Sequence, residues 1–177
     1  MAFLDNDTRD KIEALIGQGL VRMQTHPEYD GRLRIYAYTH LAQIGGYKLF
    51  KSDPVLSMCR GLVLFDNAVG DTAILARPFN YEEIPEEDRD VGTWVPTITE
   101  KMDGSLGIGY CVPGQVPAIA TRGSFTSEQA VKGTDMLRYK YPEVVGNIER
   151  DSGMYTYLFE IIYPANRIVV DYGDEEM

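Results

Sequence analysis

Apolar and polar positions change period several times along the chain, and these changes mark its elements. Asp7-Thr8 suits a helix start, and Ile12, Leu15, Ile16, Leu20 and Met23 follow at helical spacing. The spacing predicts an amphipathic helix over 8–24, weakened by Gly17 and Gly19. After the turn-like stretch 26–31, Leu33, Ile35 and Ala37 alternate with polar neighbours, which predicts a strand over 32–38. Residues 39–58 fit no single period and are punctuated by Gly45-Gly46 and Asp53-Pro54. From Arg60 the pattern is mostly that of strands. Leu62–Phe65 and Ala73–Ala76 are apolar runs joined by a turn-rich loop, a hairpin signal, and Trp94–Thr99 predicts a further strand. Leu106–Val112 and Val116–Thr121 flank Pro113-Gly114 as a second hairpin. Ser127 suits the cap of a helix over 127–140, and strands are expected at 155–162 and 167–172. The class is α+β: a dominant, mainly antiparallel sheet with one helix before it and another inserted. No repeat or linker divides 1–177, so a single domain is expected, with an N-terminal helical segment at 1–30 and a sheet-rich part at 31–177.

Composition narrows the setting. With 177 residues, 44% apolar and 25% charged, the chain can build one core and is not a disordered polypeptide. No apolar run reaches the ~18 residues of a membrane helix, and the acidic N-terminus is unlike a signal peptide. A soluble, cytoplasmic protein without a membrane partner is the expectation. The net charge of −10 argues at first against nucleic acid, but it is concentrated. Residues 82–90 carry −5 and residues 171–177 carry −4, leaving −1 for the other 161 positions. A local basic site therefore remains open. Cys59 and Cys111 match no zinc spacing and read as buried thiols, while His26 and His40 form no ligand pair.

Candidate chemistry centres on Lys101-Met102-Asp103-Gly104-Ser105, where a strand is expected to give way to a tight turn. Alone, a lysine before Asp-Gly is most often a solvated surface group. Its company raises the signal. Cys59-Arg60-Gly61 opens a strand, Thr121-Arg122-Gly123-Ser124-Phe125 closes another, and Phe159-Glu160 and Pro164-Ala165-Asn166-Arg167 follow. Charged residues thus recur at strand ends beside glycines that permit close backbone approach. Arg60, Arg77, Lys101, Arg122 and Arg167 could converge on a polyanion such as a nucleoside triphosphate, with Glu160 accepting from a ribose or a metal-bound water.

In these residues the chain resembles the nucleotidyltransferase domain of ATP-dependent RNA ligases, most closely the tRNA-repairing ligases of T-even-type bacteriophages. The superfamily's Lys-x-Asp-Gly motif is matched at Lys101–Gly104, and the Ser that commonly follows in RNA ligases at Ser105. The upstream Cys-Arg-Gly and apolar strand are matched at Cys59–Phe65. The basic-Gly-Ser motif is matched at Arg122–Ser124, and Phe-Glu with Pro-x-Asn-Arg-Ile-Val at Phe159-Glu160 and Pro164–Val169. The resemblance runs from about Arg32 to Tyr172. It implies an adenylation domain that uses ATP and Mg²⁺, for which Mn²⁺ can substitute, in RNA repair. Lys101 would attack the α-phosphorus to give a lysyl-adenylate. AMP would then pass to an RNA 5′-phosphate, and a 3′-hydroxyl would displace it to seal RNA ends such as those of a broken tRNA. Lysine attacks only as the free amine, and cations must neutralise the transferring phosphoryl group. By the same resemblance Arg60 and Arg122 would contact phosphate or nucleotide, and Arg77 would stand in for a missing phosphate-binding lysine. Asp103 and Gly104 would shape the turn, and Glu160 would hold the ribose or the metal's water. Arg167 would either serve the site or form a salt bridge with Glu or Asp on a neighbouring strand. Tyr36, Tyr38 and Phe125 could stack on a base or simply pack in the core.

The match departs from the family in two places. Arg77-Pro78-Phe79 runs into Asn80-Tyr81-Glu82-Glu83, where the family carries a Lys-Phe-Phe-Asn stretch. The chain also has no Lys-x-Lys and no Glu-Gly, the family's last two motifs. The adenylation domain is therefore expected to be incomplete at its C-terminus. Three readings follow: an RNA ligase portion completed by further motifs, a non-ligating module that binds nucleotide or RNA ends, or a scaffold whose strand edges pair with a second chain or copy.

Overall fold

The computed structural model describes residues 2–78 and 98–173, the Tyr47 side chain excepted. The first helix, α1 (Asn6–Gly17), is shorter than its periodicity predicts. Asp5 caps it, accepting from the Thr8 N–H and hydroxyl, each at 2.8 Å. The helix buries Ile12 and Leu15, then stops because Gly19 turns the chain at φ +72°. Leu20 and Met23 fall outside it. Val21–Thr25 forms a strand, β2, paired with β3 (Leu33–Tyr38), and Asp30 and Gly31 reverse the chain between them at φ +47° and +76°. A short strand β1 (Ala2–Phe3) pairs with β5 (Thr72–Ala76). The expected N-terminal helical segment 1–30 thus contributes two strands to the sheet.

The ambiguous stretch resolves into three short helices, α2 (His40–Ile44), α3 (Gly46–Ser52) and α4 (Pro54–Met58). Thr39 caps the first, and Asp53 with Pro54 begins the last. β4 (Arg60–Asp66) and β5 form the expected hairpin, whose loop is held by Asn67 Oδ1 accepting from the Val69 and Asp71 amides. β6 (Ser105–Tyr110) and β7 (Ala118–Ala120) form the second. Ser127 caps α5 (Glu128–Lys140) as predicted, and α6 (Pro142–Asp151) follows unpredicted. β8 is confined to Leu158–Ile161. The strand expected over 167–172 does not form; a 3-10 turn at Pro164–Asn166 leads into irregular chain. The acidic loop and residues 94–97 of the expected strand at Trp94–Thr99 lie outside the described residues, and Ile98-Thr99 is not in a strand.

Among the described residues the strands form two antiparallel sheets rather than one. Their orders are β1-β5-β4-β3-β2 and β7-β6-β8. Leu33, Ile35, Val63, Phe65 and Leu75 pack between the sheets against Ile108, Tyr110, Ala120 and Phe125. The opposite face of the larger sheet, with Tyr36, Leu62 and Leu64, meets α1 and α4 through Ile12, Leu15 and Leu56. The outer face of the smaller sheet meets α5 and α6 through Ile119, Ile161, Leu137 and Ile148. The layers run helix, sheet, sheet, helix. Among the described residues no helix is long and apolar enough to cross a membrane.

Candidate functional site

Lys101 is exposed in the loop that leads into β6, and the turn behind it is braced from two directions. β8 runs antiparallel to β6 with Ser105 opposite Ile161 and Leu106 opposite Glu160. This register brings Glu160 Oε1 within 2.9 Å of the Gly104 amide, which donates to it. Gly104 can lie this close only without a side chain, because a Cβ would sit 2.6 Å from the Ile161 carbonyl oxygen. The second brace is the segment after β8. The Asp103 amide donates to the Tyr172 hydroxyl at 2.8 Å, and its carboxylate accepts from the Val169 and Val170 amides at 2.7 and 2.9 Å. The Val170 and Val169 amides, helped by the Lys101 ammonium, hold the Asp103 carboxyl below its usual range. Asn166 ties the same segment down from beneath. Its amide nitrogen donates to Ile161 O at 2.7 Å and to Ser105 Oγ at 3.1 Å.

A second convergence joins the two arginine motifs. The register shift between β3 and β4 leaves Gly61 as an extra residue at φ +95° and sets Arg60 opposite Ala37. A Cβ on Gly61 would collide with the Ile108 side chain and lie 3.3 Å from Arg122 O. Cys59-Arg60-Gly61 and Thr121-Arg122-Gly123 therefore abut across the sheets. The Arg122 guanidinium covers the Tyr38 ring, 5.2 Å from its centroid. Glu160 faces this same inter-sheet side, because Leu106, its partner in the ladder, leans on the inter-sheet core.

Two expected members are placed apart. The Arg77 amide donates to Thr156 Oγ1 at 2.8 Å, so its backbone is fixed before the start of β8, away from the end that meets Gly104. Arg167 pairs with Asp171 at 2.7 Å on the surface, four residues along in its own irregular segment rather than with an acid on a neighbouring strand. Of the three aromatic stacking candidates, Tyr36 is buried against the helices and Phe125 between His26 and Tyr110. Tyr38 is held between Arg122 and Phe50.

Both cysteines are buried and free, and burial pushes the Cys59 thiol up to about 12, which removes it as a nucleophile near neutrality. Among the described residues no group of three or more His, Cys, Asp or Glu is placed to hold a metal. Sequence reasoning missed Arg22, whose guanidinium lies on Gly123, because its segment carried a helical period. It also assigned no role to Tyr172 and Asn166, whose brace is a long-range contact with no local signal. No model of a known protein family matches the sequence, and no curated protein matches it.

Proposed function

We propose that this chain is an RNA ligase-like adenylyltransferase with a nucleotidyltransferase-type adenylation fold and Lys101 as nucleophile. The observation that carries the reading is the Lys101 turn. An exposed lysine stands beside a Gly104–Glu160 hydrogen bond and an Asp103 clamp, while the Arg60 and Arg122 motifs abut across the sheets. In the reaction the Lys101 Nζ lone pair forms a bond to the α-phosphorus of ATP. The bond from that phosphorus to the bridging oxygen breaks, pyrophosphate leaves with the electron pair, and the amine proton passes to solvent. An RNA 5′-phosphate oxygen then takes the adenylyl group from Lys101, and a 3′-hydroxyl displaces AMP. Arg60 and Arg122 would neutralise phosphoryl charge.

Mg²⁺ would arrive on the triphosphate, where it screens charge on the phosphate oxygens. A site with one carboxylate, Glu160, reached through water, fits that ion's habit of keeping most of its hydration shell. The functions of Glu-Gly and Lys-x-Lys, which the sequence lacks, would come from further chain or from a partner supplied in trans.

Incubation with α-labelled ATP and Mg²⁺, with and without a Lys-x-Lys fragment in trans, tests the proposal. The expected product is a labelled protein that survives denaturation and alkali and loses label in mild acid, as a P–N bond does. Lys101→Ala should abolish it and Lys101→Arg should not restore it. Nucleotide binding without any adduct under either condition would point instead to a non-ligating nucleotide-binding module. Self-association without nucleotide affinity would point to a scaffold.

A further inference from the structure

We infer that Arg22, on the edge strand β2, forms a phosphate-binding subsite with the Arg122-Gly123-Ser124 turn on which it lies. Arg22 stands opposite Ala37, which in turn stands opposite Arg60, so one row across the sheet carries both arginines. Its guanidinium rests on Gly123. A Cβ there would lie 3.1 Å from Arg22 Cζ and 3.3 Å from Nε, so only glycine leaves room for the arginine to lie over this turn. Arg122, the preceding residue, places its own guanidinium over Tyr38.

Strand alternation puts Arg22 on the same face as Ala37 and Arg60, so its cation lies over the turn that carries Arg122. Among the described residues the Arg22 side chain makes no hydrogen bond or ion pair, and the Arg122 guanidinium lies on the Tyr38 ring. A guanidinium left without an acceptor keeps its N–H donors available, in the planar fork that grips phosphate oxygens in pairs. β2 lies at the margin of the larger sheet, so the subsite opens outward. The phosphate could belong to an RNA strand or to the tail of ATP. The chemistry is shared, and only its carrier rests on the function proposed above.

The test titrates a labelled single-stranded oligoribonucleotide with a 5′-phosphate, its 5′-hydroxyl twin, and ATP against the chain and the variants Arg22→Ala, Arg22→Lys and Gly123→Ala. Arg22→Ala should weaken binding of the phosphate-bearing probe about tenfold, the effect of one charge-assisted pair, and Arg22→Lys should recover part of it. For an RNA carrier, the slope of log affinity against log salt should fall by roughly 0.7, one phosphate contact on a single strand. Gly123→Ala should reproduce the loss with an unchanged thermal midpoint, because the methyl displaces a side-chain end rather than backbone. A loss confined to the 5′-phosphate probe assigns the subsite to an RNA end. A loss with both RNA probes assigns it to an internal phosphodiester, and a loss with ATP alone to the triphosphate. Equal affinities and slopes for wild type and Arg22→Ala, or a wild type that binds none of the probes, overturns the inference. Adduct formation without an Arg22 effect sinks only this inference. Arg22-dependent phosphate binding without an adduct sinks only the enzymatic reading.

Discussion

β4 and β8 are both short strands next to the candidate site, and they are built in opposite ways. In β4 five consecutive residues, Gly61–Phe65, are buried. β3 and β5 flank the strand, helices cover one face and the smaller sheet covers the other. In β8 only Ile161 is buried, Leu158 is 45% exposed, and among the described residues β6 is the one strand beside it. A strand closed on every side can fix positions but can offer a charged group only at its end, and Arg60 sits at that end. A strand open along one edge can carry Glu160 in its middle and still reach water. Burial and access to water are divided between the two strands.

The largest expected break in this comparison is Leu64→Ala in β4, which empties a site with no room to collapse and should cost about 2–5 kcal/mol in denaturant unfolding. Equal losses from Leu64→Ala and Leu158→Ala would refute the division. Next comes Gly61→Ala, which puts a Cβ into Ile108 at a positive φ and should cost about 1–3 kcal/mol. It should also loosen the contact with Arg122, seen as faster amide exchange at 121–124. Glu160→Gln keeps an oxygen for the Gly104 amide, so stability should move by less than about 0.5 kcal/mol. Adduct yield should nevertheless fall, separating the chemistry of β8 from its architecture. Leu158→Ala should leave stability within about 0.5 kcal/mol of wild type. The smallest effect concerns Asp103. Its carboxyl lies below the usual value, so its hold on Val169 and Val170 is present above about pH 4 and lost as pH falls through the lowered folded value. The amide proton shifts of Val169 and Val170 should titrate with a midpoint below 3.8, and a midpoint at or above that value would remove the clamp.

Much of the fold was legible where a local rule and the tertiary context agree. Ser127 with the apolar positions of 128–140 gave α5, and the two hairpins followed from apolar runs around turn residues. Readings failed where a periodicity fitted by coincidence. Leu20 and Met23 continue the helical spacing of α1 across Gly19, whose positive φ ends the helix, and Val21–Thr25 pairs with β3 instead. α6 was overlooked although Pro142 at its first turn and Val144, Val145 and Ile148 on one face mark it. The apolar run Ile168–Val170 looked like a strand, but the amides of Val169 and Val170 are taken by Asp103 rather than by a neighbouring strand. That the strands divide into two sheets depends on which faces meet, which alternation alone does not encode. At the site, the motifs named Lys101, Arg60, Arg122 and Glu160. The bracing of the Lys101 turn by Tyr172 at Asp103 and by Asn166 at Ser105, and the approach of Arg22 to Gly123, belong to contacts distant in sequence.

The core between the sheets also bears on how the protein is made. Among the described residues, every strand of the larger sheet is complete by Ala76, whereas those of the smaller sheet lie between Ser105 and Ile161. During synthesis the first half can assemble with its helices while Leu33, Ile35, Val63, Phe65 and Leu75 still lack their cover. A nascent or truncated chain ending shortly after β5 would expose an apolar sheet face to water, the kind of surface that chaperones bind and that aggregates. Slowing translation across the stretch between the two sheets would lengthen that exposure, and faster arrival of β6 would shorten it.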